Sequence, residues 1–202
     1  MAKLLLVRHG RTRLYQSDRF WGSTDIPLSD LGVRQAERLR DRLAGENISA
    51  VFSSQLSRTK VTAEIIAAPH EKKVTALPEL NECNFGFAEG LTFSEIEKQY
   101  PDLAEVLLGY DIDTQFPGGE SFSEVNERVS KFLPILGEYT VKETVLIVGH
   151  GGTLPLFVCH LLGIPIKHWR QFRITQASLS IMELYREGSF LTLLNETRHL
   201  TE

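Results

Sequence analysis

The sequence predicts an α/β fold: a three-layer sandwich with a mostly parallel central sheet, an antiparallel edge and helices on both faces. Three observations carry this reading. Leu4-Leu5-Leu6-Val7 and Val145-Leu146-Ile147-Val148 are uninterrupted apolar runs, the pattern of strands buried on both faces. Segments with helical apolar spacing alternate with such runs, which implies parallel strands joined by crossover helices. Near the C-terminus, Leu179–Tyr185 and 190–194, split by Arg186-Glu187-Gly188-Ser189, read as a closing hairpin.

Each element has its own local signal. Ser29 is placed to cap a helix whose Val33, Ala36, Leu39 and Leu43 share one face before Gly45 stops it. Ala50-Val51-Phe52-Ser53 reads as the second strand, with a helix over 55–68 behind it. Thr92…Glu95 and Ser121…Glu124 both have the capping-box spacing. The second box opens a helix with a Val125, Val129, Phe132, Leu136 stripe, ended by Gly137. After the strand at 145–148 a helix is expected over 153–162, closed by Gly163 and Pro165. The length of 202 residues, with 42% hydrophobic and 24% charged, suits one domain spanning 1–202.

Charge and cysteine usage narrow the partners. The net charge of −4 argues against a general nucleic-acid binder, yet Lys3, Arg8, Arg11, Arg13 and Arg19 face only Asp18 within the first 20 residues. Such a basic patch on an acidic body focuses a small anion, although Arg11, Arg13 and Arg19 also read as solvated loop charges. Two cysteines, Cys83 and Cys159, without a CxxC spacing give no disulfide framework or zinc site. The opening apolar run is too short for a signal-peptide core and no stretch reads as a membrane span, so a reducing cytoplasm is expected.

The two apolar runs at 4–7 and 145–148 break in the same way, into Arg8-His9-Gly10 and Gly149-His150-Gly151. Ligands of open α/β sheets bind beyond the carboxyl ends of the strands, so parallel pairing would bring both imidazoles to one edge. Adjacent strand side chains point to opposite faces, so Arg8 and His9 reach one pocket only if the chain turns, and Gly10 permits that. A histidine serves as nucleophile toward phosphorus when one ring nitrogen is neutral and free and the other donates to a fixed acceptor. Neighbouring arginines would lower its pKa and keep the lone pair available. Arg58 falls in the first turn of the helix after the second strand, where free N–H groups and a forked guanidinium suit phosphate oxygens. The stretch Leu80-Asn81-Glu82-Cys83-Asn84-Phe85-Gly86-Phe87-Ala88-Glu89 supplies two acids among aromatics, an environment that favours a general acid near neutral pH. Glu82 is the choice over Glu89, which position alone does not separate.

With these elements in this order, the chain resembles the histidine phosphatase superfamily, the branch of cofactor-dependent phosphoglycerate mutases and small-molecule phosphatases. The resemblance runs over nearly the whole chain, through Arg8-His9-Gly10-x-Thr12, the Gly22-x-x-Asp25-x-Pro27-Leu28-Ser29 loop, Ser53-Ser54-x-Leu56-x-Arg58-Thr59, the Glu82 segment and Gly149-His150-Gly151-Gly152. It implies His9 as the residue that becomes phosphohistidine, Arg8, Arg58 and His150 on the phosphoryl oxygens, and Glu82 as the acid that later activates water. It implies no metal and no cofactor.

Gly151, Tyr15, Trp21, Gly22 and Ser23 join the expected phosphate and substrate contacts. The family usually carries asparagine and glutamine where Tyr15 and Trp21 stand, so these aromatics either contact the phosphate site or pack the loop. His70, His160, His168 and His199 read as surface or packing residues, and Phe93, Phe116 and Phe122 as lid or core. The compact Pro117-Gly118-Gly119-Glu120-Ser121 block resembles the phosphatase members. The combination of Glu79-Leu80-Asn81-Glu82, Gly118-Gly119-Glu120-Ser121-Phe122 and Phe172-Arg173-Ile174-Thr175-Gln176-Ala177-Ser178 is similar to α-ribazole phosphatases of cobalamin assembly.

The reading is therefore a metal-independent phosphomonoesterase acting on a small phosphorylated metabolite, with α-ribazole 5′-phosphate first. Phosphoserine or broad sugar-phosphate hydrolysis, phosphoglycerate mutase chemistry and a non-catalytic phosphate-binding module are the alternatives. Neither nucleic acid nor membrane is an expected partner, and a homodimer is left open.

Overall fold

The computed structural model describes residues 2–15, 18–108, 112–140 and 142–201. Among them, six strands form one sheet: β1 (Ala2–Arg8), β2 (Ile48–Ser53), β3 (Val74–Ala76), β4 (Thr144–Gly149), β5 (Leu179–Tyr185) and β6 (Gly188–Glu196), in the order β3-β2-β4-β1-β5-β6. The first four run parallel, β5 lies antiparallel to β1, and β6 is antiparallel to β5. The expected α/β architecture with its antiparallel C-terminal hairpin is what forms. The short β3 is an addition, because three residues with an exposed centre carry no readable period.

The four-residue apolar run of β1 explains the layering. Leu4 and Leu6 enter one core and Leu5 and Val7 the other, and all four have no exposed surface. Burying each contributes about 1.5–3 kcal/mol, so a polar residue on either face of this strand would be costly. Helices α1 (Asp30–Leu43) and α2 (Ser57–Ala67) cover the Leu5 face with Leu39, Leu43, Ala63 and Ile66. Over 93–108 the chain forms α3 (Phe93–Gln99) and α4 (Pro101–Leu108). The Leu4 face is covered by α5 (Phe122–Ser130), α6 (Leu133–Leu136) and α7 (Thr153–Leu162), through Val125, Val129, Phe132, Leu136 and Phe157.

Local signals set the helix ends. The Ser29 hydroxyl accepts the Gly32 N–H at 3.1 Å, and both capping boxes close reciprocally. The single helix expected after Ser121 is instead broken between α5 and α6. Pro134 sits in the first turn of α6, the one helical place where its missing N–H costs nothing, while its ring disfavours a helix running straight into it. The stripe survives the break, since Val125, Val129, Phe132 and Leu136 are all buried.

Pairing of β1 with β4 puts Arg8 opposite Gly149, so His9 and His150 each follow immediately beyond a strand end. The His9 N–H donates to the Gly149 carbonyl at 3.1 Å, which extends the ladder by one step and brings the two rings to a 5.2 Å centroid separation. No helix among the described residues is long and apolar enough to cross a membrane.

Candidate active site

His9 has its protonation state fixed by its neighbours. Its Nδ1 lies 2.7 Å from the Gly10 carbonyl, and a carbonyl only accepts, so Nδ1 carries the hydrogen and Nε2 the lone pair. Burial, then the Arg8 and Arg58 charges, hold the imidazole pKa well below its usual range. Both effects favour the neutral ring, which leaves the lone pair on Nε2. Gly10 is required for a different reason from the turn anticipated. Its φ is not positive, but a Cβ there would lie 2.4 Å from the Gly32 carbonyl at the start of α1.

Arg58 is 2% exposed and is held by three acceptors. Its terminal nitrogens donate to the carbonyls of Thr24 at 2.8 Å and Gly22 at 2.5 Å, and its Nε donates to His150 Nδ1 at 3.4 Å. Because Nδ1 of His150 accepts, Nε2–H must donate, and it does so to Ser54 Oγ at 2.8 Å. The chain continues through Thr59 Oγ1, 2.6 Å from Ser54 Oγ, to the Leu56 carbonyl. His150 has no exposed surface, and burial followed by the charge of Arg58 lowers its pKa well below the usual value. It stands behind Arg58, with both ring nitrogens engaged by Arg58 and Ser54.

Arg8 projects over the turn after β4, where its guanidinium donates to the Ile174 carbonyl at 2.7 Å and its buried Nε has no protein partner. Gly151 makes that possible, since a Cβ there would lie 2.8 Å from the Arg8 guanidinium carbon. Gly152 lets the acid approach in the same way: a Cβ would stand 2.5 Å from Glu82 Oε1. Instead the Gly152 N–H donates to Glu82 Oε2 at 3.0 Å and the Cys83 N–H to Oε1 at 3.1 Å.

Glu82 and Glu89 are now distinguished. Glu89 accepts from the Ser23 N–H and hydroxyl at 2.7 and 2.8 Å, from the Thr24 N–H at 2.8 Å and from the Thr24 hydroxyl. Burial opposes its charge, but these bonds outweigh burial and hold its pKa below the ordinary carboxylate value. Glu89 is a clasp on the 22–24 loop, and these bonds favour its charged form.

Two adjoining cavities meet at these residues. A small one of about 170 Å³ is walled by Arg8, His9, Arg58, Glu82, Tyr15 and Trp21, with Thr12, Arg19 and Gln176 completing much of its rim. A cleft of about 720 Å³ opens beside it, lined by aromatics that include Phe85, Phe93, Phe122 and Trp169. Arg8, Arg19, Trp21 and Glu82 line both.

The remaining expected contacts divide. Trp21 faces both spaces, and Tyr15 lines the small cavity at its exposed rim, stacked under the Arg11 guanidinium at 4.4 Å. Gly151 lines the large cleft. Gly22 and Ser23 are not in the lining of the small cavity: the Gly22 carbonyl accepts from Arg58, and the Ser23 polar groups are turned onto Glu89 and Asn84. Phe93 and Phe122 line the cleft, whereas Phe116 is core. Cys83 is buried and its thiol pKa is pushed up, which suits an inert role. His199 is tied to Glu196 and the Ala177 carbonyl, away from the site.

Sequence reasoning missed Ser54, Gln176 and the pairing of Arg19 with Glu95 at 2.6 Å. Ser54 had a signal, since it adjoins the strand end beside His150, but its partner is 96 residues away. Arg19 and Gln176 were named in the sequence only as part of a basic patch and of a resemblance block, because the Glu95 pairing and the cavity placement depend on loops that meet only in the fold.

Comparison with known proteins agrees with this geometry. A family model described as histidine phosphatase superfamily (branch 1) matches residues 4–197. The chain is 31% identical over 202 residues to phosphoserine phosphatase 1 of Hydrogenobacter thermophilus, covering 100% of this chain and 96% of that protein. A Yersinia pestis protein named "Probable phosphoglycerate mutase GpmB" is 31% identical over 191 residues, 95% of this chain and 88% of its own. Among solved structures, the α-ribazole phosphatase of Shigella flexneri superposes with a TM-score of 0.87 at 29% identity, covering 96% of each chain.

Proposed function

We propose, from the premise that this chain belongs to the histidine phosphatase superfamily (branch 1), that it hydrolyses phosphomonoesters through a phosphohistidine formed on His9. The observation that carries this reading is the position of Glu82, which lines both the small cationic cavity and the large aromatic cleft. A phosphoryl group seated among His9, Arg8 and Arg58 with its leaving group in the cleft would place the bridging oxygen beside that carboxyl.

The chemistry then has two halves. His9 Nε2 attacks phosphorus, the bond to the leaving oxygen breaks, and the Glu82 carboxyl gives that oxygen its proton. Water next attacks the phosphohistidine, Glu82 takes a proton from it, and inorganic phosphate leaves with His9 restored. Arg8 and Arg58 offset the charge on the equatorial oxygens throughout, which is the largest contribution a protein makes to phosphoryl transfer. When Arg58 Nε turns from His150 to a phosphoryl oxygen, a tautomer shift leaves His150 Nε2 accepting from the Ser54 hydroxyl and puts the ring hydrogen on Nδ1, which then donates to the same anion. Nothing in this sequence of steps calls on a metal.

The preferred substrate is α-ribazole 5′-phosphate. A cleft several times the volume of the phosphoryl cavity, walled by Phe85, Phe93, Phe122 and Trp169, suits a flat heteroaromatic leaving group. The structural likeness to an α-ribazole phosphatase points the same way. Arg170 and Arg173 in the same lining favour a second reading, a leaving group that bears a carboxylate, as phosphoserine does. Both cysteines are free and buried, which supports work in a reducing cytoplasm.

Parallel kcat/KM measurements on α-ribazole 5′-phosphate, phosphoserine, 3-phosphoglycerate and sugar phosphates test the assignment. The aromatic substrate is expected to lead by about tenfold or more, as each well-stacked ring is worth roughly 0.5–1.5 kcal/mol. Preference for phosphoserine would establish the second reading, and isomerisation of 3-phosphoglycerate without release of phosphate would replace hydrolysis by mutase chemistry. No turnover of any of them, with phosphate still bound, would leave a binding module.

Arg58→Ala is expected to weaken inhibition by inorganic phosphate and to lower turnover together, by about 10-fold or more for one lost charge-assisted bond of roughly 1.5–3 kcal/mol. Unchanged phosphate affinity, read as a competitive inhibition constant, would remove Arg58 from the phosphoryl site.

A further inference from the structure

Glu82 lies on a stretch with little regular structure, a single 3-10 turn over Pro78–Leu80 followed by extended chain. Yet its carboxyl has to meet one oxygen atom closely, because a misplacement of about 1 Å can cost on the order of 100-fold in rate. Two side chains from outside the site hold this stretch in place. Arg128 of α5 grips Glu120 as a fork, with Nε to Oε1 and Nη2 to Oε2, both at 3.0 Å. The same guanidinium donates to the carbonyls of Pro78 and Glu79 at 3.1 Å, Asn81 at 2.8 Å and Glu82 at 3.4 Å. Glu120 completes the clasp from the far side: its Oε2 accepts the Asn84 N–H at 2.9 Å, and its own N–H donates to the Asn84 carbonyl at 2.8 Å.

We propose that Arg128, locked by Glu120, is a positioning residue that holds the Glu82 carboxyl at the leaving oxygen. The inference rests on the reading of Glu82 as the acid. Neither side chain lines the reaction cavities, so their action on the reaction is through the backbone of 78–84. The pair is partly solvated, with 20% and 26% of the side-chain surface exposed, so its value as an isolated ion pair is small. Its value lies in geometry: the carbonyls of 78, 79, 81 and 82 converge on one planar cation, a pattern that a lysine cannot reproduce.

Arg128→Lys and Glu120→Gln test this, each alone and with Glu82→Gln. The readouts are kcat/KM for p-nitrophenyl phosphate, which needs little protonation, kcat/KM for an alkyl phosphate, which needs it fully, and the inhibition constant of inorganic phosphate. Arg128→Lys is expected to lower the alkyl rate by at least about tenfold more than the aryl rate, while phosphate inhibition stays within about twofold. In the Glu82→Gln background the same change is expected to leave the alkyl-to-aryl ratio unmoved.

Equal losses on both esters, or weaker phosphate binding, would make the clasp mere scaffold and overturn the proposal. A ratio altered by Glu82→Gln but by neither clasp variant would overturn it while leaving the acid in place. A ratio unmoved by Glu82→Gln itself would remove the acid and the clasp with it. Glu120→Gln, which keeps shape and an acceptor oxygen, supplies the answer if Arg128→Lys fails to fold.

Discussion

His9→Ala is expected to lower kcat on every phosphomonoester by on the order of 10⁴-fold or more, since in the proposed reaction it removes the atom that forms the covalent intermediate. Nδ1–H is fixed on the Gly10 carbonyl, so the ring nitrogen able to attack is Nε2. His150 cannot substitute, because its ring nitrogens are occupied by Arg58 and Ser54 and it is wholly buried. Inorganic phosphate should still bind the variant, for Arg58 is held by the Gly22 and Thr24 carbonyls and not by His9. Rapid quench with labelled substrate, worked up in alkali, should recover an acid-labile phosphoimidazole from the native protein and none from the variant. Label recovered on another residue, or turnover at the native rate, would dismiss His9 as nucleophile.

The second large effect concerns the acid. Glu82→Gln is expected to reduce kcat/KM for poor leaving groups such as alkyl phosphates by about 10²–10⁴-fold, the range that general acid catalysis contributes. The loss on p-nitrophenyl phosphate should be far smaller, because that oxygen departs as a stable anion. Glutamine keeps the side-chain length and one oxygen to accept from the Cys83 or Gly152 N–H, so the change removes the transferable proton with little disturbance of the fold. Equal losses on both classes of ester would mean that Glu82 supports the site without donating.

The two carboxyls show where sequence reasoning stops. Glu82 and Glu89 stand seven residues apart in a stretch of similar composition, and nothing in that composition tells them apart. Folding does, because the 22–24 loop brings four donors onto Glu89 from Ser23 and Thr24, which favours its charged form, while Glu82 is left facing two cavities. The same loop explains why Gly22 and Ser23 look like anion ligands in the sequence and act as supports in the structure. Their polar groups are drawn onto Arg58 and Glu89 by contacts 36 and 66 residues away.

His150 teaches a related lesson. Its motif and its place after a buried strand were readable, but its partners were not. The hydroxyl that sets its tautomer comes from the end of β2, and the guanidinium that occupies Nδ1 comes from α2.

Sequence by itself determined the layered α/β fold and the pairing of two His-Gly strand ends, and it singled out Arg8, His9, Arg58 and Glu82, which line one cavity. It could do so because burial leaves a local periodic signature: strands buried on both faces must be apolar throughout, and helix caps must supply their own donors and acceptors. Which acid faces the cavities, which tautomer each histidine adopts, and which residues hold that acid in place were decided only by the tertiary structure. Those properties depend on hydrogen bonds between loops far apart in the chain, whose angstrom-scale geometry no linear pattern encodes.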